Sequence, residues 1–167
     1  ITELPFNSND YSTAHPSLSP DEKTLYFVSN MPGTIGESDI FKVSINEDGT
    51  FGKPENLGKT INTEGKESFP LITDENELYF TSNGLPGLGG LDIFVSRIDA
   101  DGNYTTPINI GAPANSPQDD FAYLINTQTR KGFLTSNRDG GKGSDDIYRF
   151  SETRKLICKQ VLSGIVT

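Results

Sequence analysis

The chain has 167 residues, a hydrophobic fraction of 33% and a formal charge of −9, which is length enough to bury roughly two-thirds of its extended surface in one core. That charge excludes a surface built for nucleic-acid phosphates, which needs clustered Lys and Arg, and no apolar run reaches the roughly 18 residues that would insert as a membrane-spanning helix. With 17 Gly and 10 Pro, the composition suits many short strands joined by punctuated turns better than it suits helices.

The chain opens in mid-pattern. Leu4-Pro5-Phe6-Asn7-Ser8 matches the stretches from Leu57 to Asn62-Thr63 and from Ile110 to Asn115-Ser116, so it reads as the tail of a fourth strand. Residues 1–6 are therefore expected along the outer edge of a sheet, beside 146–150 if a ring closes. Strand candidates follow at His15–Ser19, Thr24–Ser29, Asp39–Ile45 and Gly52–Leu57. The second of these is rich in β-branched and aromatic residues, and its apolar run suits burial on both faces. Ser19-Pro20-Asp21-Glu22-Lys23 has the chemistry of a tight hairpin loop, and Asn46-Glu47-Asp48-Gly49 puts Asp-Gly where a hairpin needs positive φ.

The same series then repeats. Leu25-Tyr26-Phe27-Val28-Ser29-Asn30 returns as Leu78-Tyr79-Phe80-Thr81-Ser82-Asn83 and as Gly132-Phe133-Leu134-Thr135-Ser136-Asn137, at offsets of 53 and then 54. Asp39-Ile40-Phe41 keeps the beat as Asp92-Ile93-Phe94 and Asp146-Ile147-Tyr148. The second repeat places strands at 68–72, 77–82, 92–98 and 104–110, and the third at 121–126, 131–136 and 146–150. Units of this period bury their faces on one another. Four antiparallel strands per unit, repeated radially, make a β-propeller blade. The expected fold is all-β: residues 1–150 form three four-stranded blades, part of a larger propeller because three do not close a ring. After Phe150 the beat stops. Residues 151–155 read as a linker and 156–167 as a strand leading elsewhere, with Cys158 a small apolar filler.

Ser19-Pro20-Asp21-Glu22-Lys23-Thr24-Leu25-Tyr26-Phe27-Val28-Ser29-Asn30 resembles the TolB-type propeller repeat, a relative of the tryptophan–aspartate repeats. His15-Pro16-Ser17-Leu18-Ser19, Asn56-Leu57-Gly58, Ile61-Asn62-Thr63, Gly87-Leu88-Gly89-Gly90-Leu91-Asp92-Ile93-Phe94 and Gly140-Gly141-Lys142-Gly143-Ser144-Asp145-Asp146-Ile147-Tyr148 resemble blades of OmpA-family envelope proteins of the Bacteroidetes. Cys158-Lys159-Gln160 with Ser163-Gly164-Ile165-Val166-Thr167 is similar to the first strand of a carboxypeptidase-regulatory-like domain. The resemblance implies a periplasmic, outer-membrane-associated protein, some of whose relatives belong to type IX secretion and gliding machinery. Its partners would be envelope proteins. Peptidoglycan would be bound only through an OmpA-type domain that these residues do not include.

The acids could suggest glycoside hydrolysis, which uses two carboxylates. Symmetry argues otherwise, because Asp39, Asp92 and Asp146 recur in every unit and a catalytic pair is one asymmetric constellation. These acids, with Asn30, Asn83 and Asn137, are expected to bond backbone groups at strand ends. A sialidase Asp-box beginning at Ser19 fails for want of its Gly and Trp. His15 is the only His, and the 53-residue offset aligns it with Ser68, so no nucleophilic triad or zinc site is indicated. Asn46–Gly49 and Asp99–Asn103 resemble the start of a calcium loop but lack the later ligands, and hairpin turns account for them. No cofactor or metal is expected, and no enzymatic activity.

The asymmetric loops carry the functional expectation. Loops 31–38, 84–91 and 138–144 should share one face with the connections at 9–14, 64–67 and 117–120. Glycine permits close approach of a partner, and loops on a rigid scaffold commonly carry binding residues. The binding candidates are Gly33, Gly36, Gly87, Gly89, Gly90, Arg138, Gly141 and Lys142. The reading is a non-catalytic interaction module; the alternative is a carbohydrate-binding or glycan-processing propeller, which would need carboxylates of different blades converging on one pocket.

Overall fold

A computed structural model describes residues 1–155. Eleven strands form three antiparallel sheets. The first sheet holds β1 (Thr13–Leu18), β2 (Thr24–Ser29), β3 (Asp39–Ser44) and β4 (Glu55–Asn56). The second holds β5 (Glu67–Ile72), β6 (Glu77–Ser82), β7 (Asp92–Arg97) and β8 (Ile108–Asn109). The third holds β9 (Asp120–Asn126), β10 (Lys131–Ser136) and β11 (Asp146–Ser151). Each sheet is one blade, and successive strands are neighbours within it.

The blades stack face to face, and the period-2 alternation of each strand decides which neighbour a residue meets. On the first blade Phe27, Phe41 and Val43 point one way and join Phe6, Tyr11 and Phe51. Tyr26, Val28 and Ile40 point the other way and meet Leu78, Phe80 and Phe94 of the second blade. Tyr79, Ile93 and Val95, on the second blade's far side, meet Tyr123 and Leu134 of the third. With a blade on each side, all six residues of β6 are buried. Each fully buried Phe or Ile contributes about 1.5–3 kcal/mol relative to exposure. The trailing face of the third blade meets nothing among the described residues, and β10 there alternates between exposed and buried.

The innermost strands, β1, β5 and β9, each carry an irregularity in their pairing with the second strand. His15, Phe69 and Ala122 occupy equivalent positions in it, with φ of 51°, 50° and 52°. The His15 ring stacks on Phe69 at 3.9 Å, and Phe69 stacks on Phe121 at 5.4 Å. Register thus aligns His15 with Phe69 and not with Ser68. The reason lies in the hairpin between the first two strands. Ser19 and Thr24 close a four-residue tip in the first blade, whereas Thr73 and Glu77 close a three-residue tip in the second.

Asparagines fasten each connection to the blade it leaves. Asn62 accepts the Ile40 N–H at 2.9 Å and donates to the Ile40 carbonyl at 3.0 Å. Asn115 does the same to Ile93 at 2.9 and 2.8 Å. Each also donates to an asparagine of the fourth strand, Asn56 or Asn109, at 2.8 Å. Buried amides satisfied in this way fix where each connection crosses to the next blade.

Two expectations need correction. The fourth strands are only two residues long, with isolated bridges Ile45–Phe51 and Ile98–Tyr104 ahead of them; Pro54 and Pro107 each remove a ladder donor within these segments. The third blade has three strands among the described residues, the three that the sequence pattern places there. Residues 1–6 pair with no strand; the ring of Phe6 instead stacks on Phe27 at 4.9 Å. Beyond Phe150, β11 continues to Ser151, and ion pairs from Glu152 to Arg130 and from Lys155 to Glu75 hold the expected linker against the blades. The strand expected at 156–167 lies outside the described residues.

Candidate interaction site

The loops grouped by the sequence do share one face. Glu37 N–H donates to the Gly65 carbonyl at 2.9 Å, and Asp120 N–H donates to Leu91 at 2.8 Å. Each long loop is thereby tied to the connection that opens the next blade. The repeated acids hold these loops in shape. Asp39 accepts the N–H groups of Ile35 and Gly36 at 2.7 and 3.3 Å. Asp92 accepts those of Leu88 and Gly89, both at 2.9 Å. Asp146 accepts that of Lys142 at 2.6 Å and that of Gly143 at 3.1 Å. Asn30, Asn83 and Asn137 accept the N–H of Ser12, Lys66 and Asp119 at 2.8, 2.7 and 2.8 Å. A side chain that stands in for a backbone partner needs the same geometry in every blade, which is why these positions repeat.

The binding candidates divide. A Cβ on Gly36 would lie 2.4 Å from the carbonyl oxygens of Thr63 and Gly65, and one on Gly89 would lie 2.0 Å from that of Gln118. Their bare Cα atoms serve the contact with the next blade. Gly87 and Gly141 face the carboxylates of Asp92 and Asp146, and Gly90 faces that of Asp119. Gly33 has φ of +101° and open space around it. Arg138 donates to the carbonyls of Pro113 and Ala114 at 2.9 and 2.7 Å, pairs with Asp120, and lies over the Tyr148 ring at 4.9 Å. It is a brace between blades. Only the Lys142 side chain stands clear in solvent. The sequence reading missed Leu88, which is 53% exposed at a loop tip on this face.

Glu67 and Asp120 are fully buried at equivalent positions. Glu67 accepts bonds from the Thr63 N–H and hydroxyl, both at 2.7 Å, and from the Ser82 hydroxyl at 2.6 Å. Burial pushes its carboxyl above the usual range despite these donors, and the charge of Asp39 adds to the rise. Asp120 accepts the Ser116 N–H and hydroxyl at 2.6 and 2.8 Å. Desolvation lowers the pKa of His15. Among the described residues, no three His, Cys, Asp or Glu side chains cluster closely enough to hold a metal, and the Asp-Gly segments are closed turns with Gly49 and Gly102 at φ of +80° and +82°. No helix there is long and apolar enough to cross a membrane.

A second feature is apolar. Leu124, Phe133 and Ile147, on the trailing face of the third blade, are 56%, 50% and 77% exposed. Their register equivalents Tyr26 and Ile40, and Tyr79 and Ile93, are buried by the blade that follows.

Sheets of this topology, stacked through alternating faces and joined along one rim, define β-propeller blades. Solved structures agree. The chain is similar to a puromycin-hydrolysing peptidase of Mycobacterium tuberculosis, with 20% identity and a TM-score of 0.50 over 81% of this chain and 20% of that one. It is also similar to prolyl oligopeptidase B from Galerina marginata bound to a macrocyclization substrate, with 13% identity and a TM-score of 0.52 over 87% of this chain and 19% of that one. The chain thus spans about a fifth of the length of these structures, and at such identity the likeness establishes the fold alone. No protein-family model and no curated protein matches the sequence.

Proposed function

We propose that these blades form a non-catalytic interaction module of a larger propeller, in a periplasmic, outer-membrane-associated protein of the OmpA-family type. The observation that carries the non-catalytic reading is how the buried carboxylates are used. Asp39, Asp92, Glu67 and Asp120 each accept backbone or side-chain donors of the blades themselves. Catalytic acids and bases instead converge on a cleft with a substrate-sized space between them. The lone His15 stacks on Phe69 and has no nucleophile within the contacts described. The envelope setting rests on the sequence resemblance, and a role beside secretion or gliding machinery is part of the same proposal.

The binding surface is the loop face, carried by the exposed side chains of Leu88 and Lys142. Charged replacements at Gly89 or Gly141 would distort the loops themselves, so they cannot separate binding from folding. The test is capture of partners from envelope extract by the protein and by its Leu88→Asp/Lys142→Glu form, both verified as folded by circular dichroism. Loss of one specific envelope protein from the variant is the expected result. Turnover of an oligosaccharide or peptide by the purified chain would overturn the reading.

A further inference from the structure

Asn83 is the one asparagine of the chain that a glycine follows; its counterparts Asn30 and Asn137 precede Met31 and Arg138. Packing imposes the pair. Asn83 Oδ1 accepts the Lys66 N–H at 2.7 Å and so closes the seam between loop and connection, while a Cβ at position 84 would overlap the Thr63 side chain. With no side chain beside it, the Gly84 nitrogen is the least shielded nucleophile that a following residue can offer a carboxamide.

The groups around this pair are arranged as for an acyl transfer. The Gly84 N–H donates to the Ser82 hydroxyl at 3.0 Å, and that hydroxyl donates to Glu67 Oε1 at 2.6 Å. A proton leaving Gly84 thus has a short path to a carboxylate whose proton affinity is raised by burial and by the charge of Asp39. At the other end, the Lys66 N–H stands where negative charge develops on Asn83 Oδ1 when its carbon is attacked. Asn83 Oδ1 and the Gly84 nitrogen both lie over the bare Cα of Gly65. The two counterparts are wired otherwise: the Ser29 hydroxyl donates to the Ser12 carbonyl at 2.6 Å, and Asp120 is paired with Arg138.

We propose that Asn83 is a self-modification site, at which the Gly84 nitrogen attacks Asn83 Cγ and closes a succinimide. The new N–Cγ bond forms and the Cγ–Nδ2 bond breaks. The proton shed by Gly84 passes through Ser82 and Glu67 to the departing amide, which leaves as ammonia. Water then opens the ring, at Cγ to give aspartate or at the main-chain carbonyl to give isoaspartate. Isoaspartate routes the backbone through Cβ and Cγ, which lengthens it at the seam and frees loop 84–91 from Lys66.

The whole chain is incubated at neutral pH, folded and in urea, then digested and read by mass spectrometry with fragmentation that separates aspartate from isoaspartate. Asn83 should convert faster in the folded chain than in the unfolded one, with Asn30 and Asn137 unchanged. Ser82→Ala and Glu67→Gln, each verified as folded by circular dichroism, should slow the conversion about tenfold, a modest share of what a positioned base supplies. A pH series separates the relay from simple loosening of the loop. Conversion in the unaltered chain should level off once Glu67 is a carboxylate, whereas in Glu67→Gln it should keep rising with hydroxide. Persistence of Asn83 in the folded chain while the unfolded chain converts would overturn the proposal, as would either variant converting as fast as the unaltered protein or identical pH profiles with and without Glu67.

Discussion

Asp39, Asp92 and Asp146 are worth more to the fold than their charge suggests, because each replaces a backbone acceptor that a long loop cannot supply. Asp92 is 1% exposed, and its removal strands the N–H groups of Leu88 and Gly89. Asp92→Ala should therefore lower stability by about 1–3 kcal/mol, the cost of leaving partly buried donors unpaired beside the cavity of a buried side chain; urea denaturation checks it. Titration gives a second prediction. Burial lowers the pKa of His15 below its ordinary 6.5, so the unfolded chain binds this proton more readily than the folded one. The stability His15 contributes is complete above the unfolded value and is lost as pH falls through the lower folded value. His15→Phe, which keeps a ring against Phe69, should lose less stability than the unaltered protein on acidification from neutral pH. Glu67 has the opposite sign, since its carboxyl is raised above the ordinary 4.5. Its contribution is full below that value and lost as pH rises through the folded one. Glu67→Gln should thus gain on the unaltered protein as pH increases, measured by thermal melts across the acid range.

At the scale of the elements, β2, β6 and β10 were legible because their apolar runs and β-branched residues state both conformation and burial, and their observed bounds coincide with the expected ones. The fourth strands were not. Their residues alternate poorly, and they are held by Asn62 and Asn115 of the connections that follow, so no apolar pattern announces a two-residue pairing. The loop glycines were seen but their purpose was not, since a close approach to Thr63, Gly65 or Gln118 is a tertiary fact. Arg138 likewise read as a binding residue of the loop face, because its partner Asp120 is 18 residues away. These contacts predict a contrast. Gly36→Ala pushes a methyl into two backbone oxygens and should cost about 1–3 kcal/mol, as overpacking does. Lys142→Ala, at an exposed side chain, should change stability by less than about 0.5 kcal/mol. Paired chemical denaturation curves test the difference.

For the whole molecule, the exposed trailing face sets the solution behaviour. Leu124, Phe133 and Ile147 form an apolar patch on a sheet whose equivalents are buried elsewhere in the same chain. Such patches drive association, so the isolated chain should self-associate as its concentration rises. Leu124→Thr with Phe133→Thr should shift it toward monomer in sedimentation velocity. The repeat beat made this stacking readable from sequence.

The extra residue at the first blade's hairpin tip has a practical consequence. One blade closes this turn with four residues and the next with three, yet both sheets keep the same ladder between their second and third strands. The tip around Asp21 and Glu22 thus absorbs changes of length without disturbing the barrel of blades, as exposed loop ends commonly do. An epitope or a small fluorescent reporter could be spliced there, leaving the loop face free for its own measurements.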